Sequence, residues 1–222
     1  FIAGADASGE IIFYDGDFSS VGIDVDNNTD TPTADTWYLP LEEAPDYEGE
    51  RNASSVNLVT GAQGNGMQLG SANDTISLRY FSDSILIDIS GETDYTISMD
   101  INSELKNELD LGFLARFQVG PADGTVAAQF ATQAYYLADD TEDGFTTVSF
   151  TVSGSDILAK AISKGLTDGV DNYLVLRFNC DGDLSPPNGT GKNDIWTIDN
   201  LTVTASPEPG TFALFGLLAI PL

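Results

Sequence analysis

The chain contains no histidine, a single cysteine and only 8 lysines and arginines in 222 residues. Without an imidazole there is no Ser-His-Asp or Cys-His relay, no histidine metal ligand and no ordinary physiological pH switch. Cys180 has no second cysteine to pair with, so no internal disulfide staples the fold. No His or Lys neighbours it in sequence to lower its pKa, and it reads as a small packed residue rather than a nucleophile. Against the few basic residues stand 35 aspartates and glutamates, a formal charge of -27. A nucleic-acid binder must bring Lys and Arg to the phosphates, so no nucleic acid is expected as a partner. The same shortage argues against docking on anionic lipid.

What is present points to strands and turns. Hydrophobic residues make up 41% of the chain, enough for a real core in one large domain. Asp outnumbers Glu by 25 to 10 and is accompanied by 22 Gly. Asp favours turns and ligates hard cations, whereas Glu favours helices, so the chain reads as turn-rich and helix-poor. So large a negative charge repels itself in a compact state unless cations neutralise it, which points to a divalent metal or salty surroundings.

Apolar residues recur with period two between clusters of Asp, Gly, Asn and Thr, the signature of short antiparallel strands. The expected strands are 11–18, 56–60, 75–81, 84–89, 93–101, 109–119, 126–137, 145–152, 173–178 and 194–204. Tyr95, Ile97, Met99 and Ile101 alternate most cleanly, with Thr96, Ser98 and Asp100 on the other face. In the last strand both Ile195, Thr197, Asp199, Leu201, Val203 and the opposite set from Trp196 to Thr202 carry apolar groups, as in a strand inside a sandwich. One helix is expected over 156–166, capped by Ser155 or Asp156 and stopped by Gly165. About ten strands with one helix give an all-β fold, an antiparallel β-sandwich of jelly-roll type, over residues 1–205.

Residues 206–222 form a separate unit, Ser-Pro-Glu-Pro-Gly-Thr followed by a nearly uninterrupted apolar dozen. Twelve helical residues span only about 18 Å, too short for a bilayer core of about 30 Å. The Pro207-Glu208-Pro209 triplet and the apolar run resemble the PEP-CTERM sorting signal of exported bacterial proteins. That resemblance implies a Gram-negative cell-surface or extracellular protein associated with exopolysaccharide or biofilm, touching the membrane only transiently. It lacks the longer span and basic cluster of the family. The start, Phe1 to Ala5, reads either as the last part of a signal peptide or as a mature N-terminus. Sheltered in protein, Phe212, Leu214, Phe215, Leu217, Leu218 and Ile220 would join copies of the chain head to tail into a polymer; a self-packed terminus and a simple dimer are the alternatives.

Asp24, Asp26, Asn28 and Asp30 place oxygen side chains at every second position, as the first half of a calcium loop does, although the Gly and the closing Glu of an EF-hand are missing. A solvated turn reads equally well. A second oxygen-rich loop runs from Asp181 to Asp194, and 138–144 reads as a charged hairpin tip. Asp15-Gly16-Asp17-Phe18 and the strand Ile198-Asp199-Asn200-Leu201 resemble the opening and closing strands of jelly-roll carbohydrate-binding modules and galactose-binding-like domains. The resemblance implies Asp17 and Asp199 as calcium ligands where first and last strands meet; a buried Asp199 capping a turn is the alternative. It also implies a polysaccharide partner held by exposed aromatics. Trp37 and Tyr38, beside Pro40 in an acidic stretch, are the expected stacking pair, with Tyr47, Tyr80, Tyr135, Tyr136 and Trp196 as further candidates or as core.

No Glu lies in a catalytic motif, and carboxylate pairs arise by chance among 35, so no enzyme is expected. Five Asn-x-Ser/Thr sequons, at Asn27, Asn52, Asn73, Asn188 and Asn200, leave glycan attachment open. The expectation is an exported, calcium-stabilised structural protein that self-assembles, with a lectin-like module as the alternative.

Overall fold

The computed structural model describes residues 9–15, 18, 34–38, 56–62, 64–71, 76–103, 112–122, 128–137, 144–170, 172–181 and 194–207. These form an antiparallel β-sandwich with one helix, as the alternation predicts. The strands are β1 Glu10–Asp15, β2 Thr36–Tyr38, β3 Val56–Thr60, β4 Asn65–Ser71, β5 Ile76–Leu86, β6 Thr93–Ser103, β7 Gly112–Gly120, β8 Ala128–Leu137, β9 Thr146–Val152, β10 Tyr173–Asp181 and β11 Asp194–Pro207; helix α1 spans Gly154–Lys164. One sheet has the order β3-β4-β11-β6-β9 with β1 also on β11, and the other β2-β5-β10-β7-β8. All the paired strands run antiparallel.

β6 shows how the pattern becomes structure: Tyr95, Ile97, Met99 and Ile101 are buried in the core and the residues between them are half-buried. Facing them from the second sheet are Ala115, Phe117 and Val119 of β7 and Leu174, Leu176 and Phe178 of β10, all fully buried. Tyr95 stacks on Phe117 at 5.4 Å between ring centroids, so the two sheets interlock through aromatic rings.

β11 carries the architecture. It pairs with β6 on one side, while on the other its first half pairs with β4 and its second half with β1. The changeover falls at a β-bulge, where Asp199 pairs with Asp100 and the next partners are Thr202 and Ser98. One extra residue is accommodated by Asn200 in the left-handed region, at φ 50°. The bulge reverses the alternation, so the buried set is Trp196, Ile198, Leu201 and Val203 rather than either unbroken series expected from period two.

Two further expectations are corrected and one strand is new. The separate strands at 75–81 and 84–89 are one strand, β5, because polar Ser82 is buried inside it: its Oγ accepts from the Ser84 and Ile85 amides and donates to Asp35 Oδ1 at 2.8 Å. β4 was hidden by its glycines. A Cβ at Gly66 would meet the Thr197 side chain at 2.8 Å, so this glycine permits close approach to β11 rather than marking a loop. The helix begins earlier than expected, with Ser153 as its N-cap, whose Oγ accepts from the Asp156 amide at 3.1 Å; Gly165 closes it in the left-handed conformation, as expected.

Candidate functional site: the outer face of the second sheet

β5, β7 and β10 each turn apolar side chains into the sandwich, so the residues between them project from the opposite face. The same triplet recurs in all three: Leu78-Arg79-Tyr80, Ala115-Arg116-Phe117 and Leu176-Arg177-Phe178. In each, the flanking residues are buried and belong to the main core. The pairing register aligns the three triplets, with Arg177 opposite Arg79 on one side and opposite Arg116 on the other. Three of the chain's four arginines therefore form one transverse row on adjacent strands, spaced by about 4.8 Å per strand. Backbone pairing extends the row to Tyr38 on β2 and to Gln133 on β8.

Arg79 is 5% exposed, and Arg177 and Arg116 are half-buried. Two residues along the strands, on the same face, Phe81, Val175 and Gln118 form a parallel row. Phe81 and Val175 make a small apolar cluster with Ala34, separate from the main core, which confirms that this row lies on the outer face. Gln118 is 1% exposed and its side-chain oxygen has no hydrogen-bond donor among the described residues. A buried carbonyl without a partner is costly, on the order of 1–3 kcal/mol. This side of the sheet thus combines the guanidinium groups with a buried amide acceptor, while Phe81 and Val175 beside them are covered.

Sequence reasoning did not find this row, because the arginines are far apart in the chain and each reads as one charge in a strand. The repeated apolar-Arg-aromatic triplet was the available signal.

Of the expected stacking pair, Trp37 turns inward. Trp37 is 1% exposed, lies in the core against Tyr80 and Phe178, and donates its indole N–H to Asp15 Oδ2 at 2.9 Å. It offers no ring face to a sugar. Tyr80 and Trp196 are likewise buried. Tyr80 donates to Asp35 Oδ1 at 2.9 Å, and burial, then that hydrogen bond and the charge of Asp35, push its hydroxyl well above the usual tyrosine range. The side chains of Tyr38, Tyr135 and Tyr136, and the whole of Tyr47, lie outside the described residues.

The expected metal ligands divide similarly. Asp199 is fully buried where β4 gives way to β1 on β11. Its Oδ1 accepts from the Asn200 amide at 2.8 Å, and the other carboxylate oxygen lies against Gly61, in the turn between β3 and β4. Among the described residues no three acidic or cysteine side chains converge on one point. Asp17, Asp24, Asp26, Asn28 and Asp30, most of the 181–194 loop and residues 138–143 lie outside the described residues. So do Phe212, Leu214, Phe215, Leu217, Leu218 and Ile220 of the expected assembly segment. No described helix is long and apolar enough to cross a membrane.

No known protein family matches the sequence, and no curated protein matches it. Among solved structures the chain is similar to the CBM22-1 xylan-binding domain from Paenibacillus barcinonensis Xyn10C, at TM-score 0.48 and 10% identity over 91% of this chain and 99% of that one. It is also similar to the xylan-binding module CBM15, at TM-score 0.43 and 14% identity over 72% and 90%. A third is CBM28, a module specific for non-crystalline cellulose, at TM-score 0.43 and 9% identity over 67% and 79%.

Proposed function

We propose that this protein is a non-catalytic carbohydrate-binding module whose ligand lies on the outer face of the five-stranded sheet. The observation that carries the reading is the row Arg79, Arg177 and Arg116 with Gln118 beside it, polar groups gathered on one sheet face that the sandwich core does not use. Guanidinium and amide groups on rigid strands suit the hydroxyls of a glycan. The solved structures it resembles are named for xylan or cellulose binding, which suggests the first ligands to try.

Affinity electrophoresis of the full chain through gels containing xylan, soluble cellulose derivatives or acidic polysaccharides tests the reading. Retardation in at least one gel, reduced in Arg177→Gln with an unchanged thermal melt, is expected. Mobility unaffected by every polysaccharide would overturn it, and release of reducing sugar would replace it with a glycan-acting hydrolase. Export to the cell surface belongs to the same proposal and is supported by Pro207-Glu208-Pro209 and the apolar run that follows.

A further inference from the structure

We infer that β9 is the docking strand for a second copy of this chain, the two β9 strands pairing antiparallel about a twofold axis at Ser149. β9 lies at the edge of its sheet and, among the described residues, pairs with β6 alone. The pairing is unbroken from Thr146 opposite Ile101 to Val152 opposite Tyr95, so β9 is a regular strand whose other side turns backbone donors and acceptors outward. Sheet edges are ordinarily shielded by charged side chains, proline, a bulge or extreme shortness. β9, Thr-Thr-Val-Ser-Phe-Thr-Val, has seven residues and none of these devices. Burial shows the edge to be open: Thr147, Ser149 and Thr151 are exposed. Val148 and Phe150 pack against the core yet are only half-buried, whereas their register partners on β6, Met99 and Ile97, are fully buried. The two β9 side chains lack a neighbour on the side away from β6.

The sequence of the strand selects a second copy as its occupant. It reads alike in both directions from Ser149: Val148 and Phe150 are apolar, Thr147 and Thr151 are identical, and Thr146 and Val152 are both β-branched. An isologous interface demands such self-complementarity, because every contact is made twice. Pairing about Ser149 sets Thr147 against Thr151 of the second copy and Val148 against its Phe150, so the hydroxyl row and the apolar row both continue across the join. The hydroxyl pairing already occurs within the fold, where Thr151 Oγ1 and Thr96 Oγ1 are hydrogen-bonded at 2.9 Å. Charge points the same way. Two copies of a chain of charge -27 repel each other, so close approach requires a neutral surface. β8, the edge of the other sheet, packs beside β9, and neither strand contains a charged residue.

Sedimentation velocity of the full chain, over a concentration series in salt that screens the surface charge, is expected to show a species with the mass of two subunits. Ser149→Glu sets two carboxylates against each other on the axis and should weaken association roughly tenfold or more, with the fold retained by circular dichroism because this side chain is exposed. Cross-linking reads the register. Ser149→Cys places two thiols on the axis within disulfide reach, whereas Thr147→Cys faces Thr151 of the second copy. Mild oxidation should therefore give a covalent dimer from Ser149→Cys, and none from Thr147→Cys or from the wild type with its single Cys180. A single-subunit mass at every concentration would overturn the inference. So would association that withstands Ser149→Glu, or equal cross-linking of the two cysteine variants, either of which would assign the contact to another surface.

Discussion

The indole N–H of Trp37 donates to the carboxylate of Asp15 at 2.9 Å, tying β2 of one sheet to the end of β1 in the other. The second oxygen of the same carboxylate accepts from the Phe18 amide at 3.1 Å, and the Phe18 ring packs 5.9 Å from the indole. Phe18 holds φ 44°, an uncommon value for an aromatic residue, and is fully buried. One side chain thus turns the chain off β1 and pins the core tryptophan.

Asp15→Ala should therefore lower stability by about 1–3 kcal/mol, since it strands a buried indole N–H and releases the turn. Trp37→Phe, which keeps most of the ring volume, should cost about 1 kcal/mol, and Trp37→Ala about 3–5. Chemical denaturation measures each. If Trp37 were instead a sugar platform, Trp37→Phe would weaken glycan binding with little change in stability; the expected order is the reverse.

The misplacement of Trp37 shows where the sequence is legible. β6 could be read because each of its side chains obeys a rule local to that strand. Trp37 could not, because the group that makes its burial tolerable is Asp15, 22 residues away. Its acidic, proline-containing neighbourhood imitates an exposed loop. The arginine row failed for a related reason: a row belongs to the register between strands, and register is set by pairings across the whole chain. Asp199 lies beside the stretch of β11 that pairs with β1, and its surroundings depend on a bulge that no period-two pattern announces.

That bulge can be tested directly. Asn200 takes φ 50° and its Nδ2 donates to Asp100 Oδ2 at 2.7 Å. Asn200→Gly keeps the conformation and loses only the hydrogen bond, whereas Asn200→Ala loses the bond and strains the backbone by a further 1–2 kcal/mol or so. Glycine is expected to be the better-tolerated replacement by thermal melting. Equal melting temperatures would mean that the bulge relaxes. The same hydrogen bond engages the amide nitrogen that a glycan at this sequon would have to modify.

The turn between β3 and β4 makes a second such case. A Cβ on Gly61 would meet the Asp199 carboxylate and lie 2.8 Å from the Gly66 amide nitrogen. Gly61→Ala should destabilise by about 1–3 kcal/mol, as overpacking at a closed site does. Shortening Asp199 removes one of the two clashes, so Gly61→Ala combined with Asp199→Ala should cost less than the sum of the singles by at least about 0.5 kcal/mol. Strict additivity in urea titrations would show that the carboxylate is not what Gly61 accommodates.

The pH dependence of stability reads one corner of the sandwich from both ends of the scale. The Asp88 amide donates to the Tyr95 hydroxyl at 2.8 Å. Burial favours the neutral form of Asp88, but hydrogen bonds from the Ser90 amide and the Thr93 hydroxyl outweigh it and hold the carboxyl below the usual aspartate range. Between the folded and unfolded values the unfolded chain binds more protons. This contribution is therefore complete above the ordinary aspartate pKa and is lost as pH falls through the folded value. Tyr95 behaves oppositely: burial, partly offset by the Asp88 amide and reinforced by the Asp88 charge, pushes its hydroxyl up from 10.0 to about 12. The folded state then binds more protons, so its contribution is full below pH 10 and disappears as pH rises toward 12. Melting temperature against pH should fall less steeply on the acid side in Asp88→Asn and less steeply on the alkaline side in Tyr95→Phe. Both variants should be weaker than wild type at pH 7, by about 1 kcal/mol for the lost hydrogen bond in Tyr95→Phe. An alkaline limb in Tyr95→Phe as steep as that of wild type would mean that some other group governs the high-pH transition.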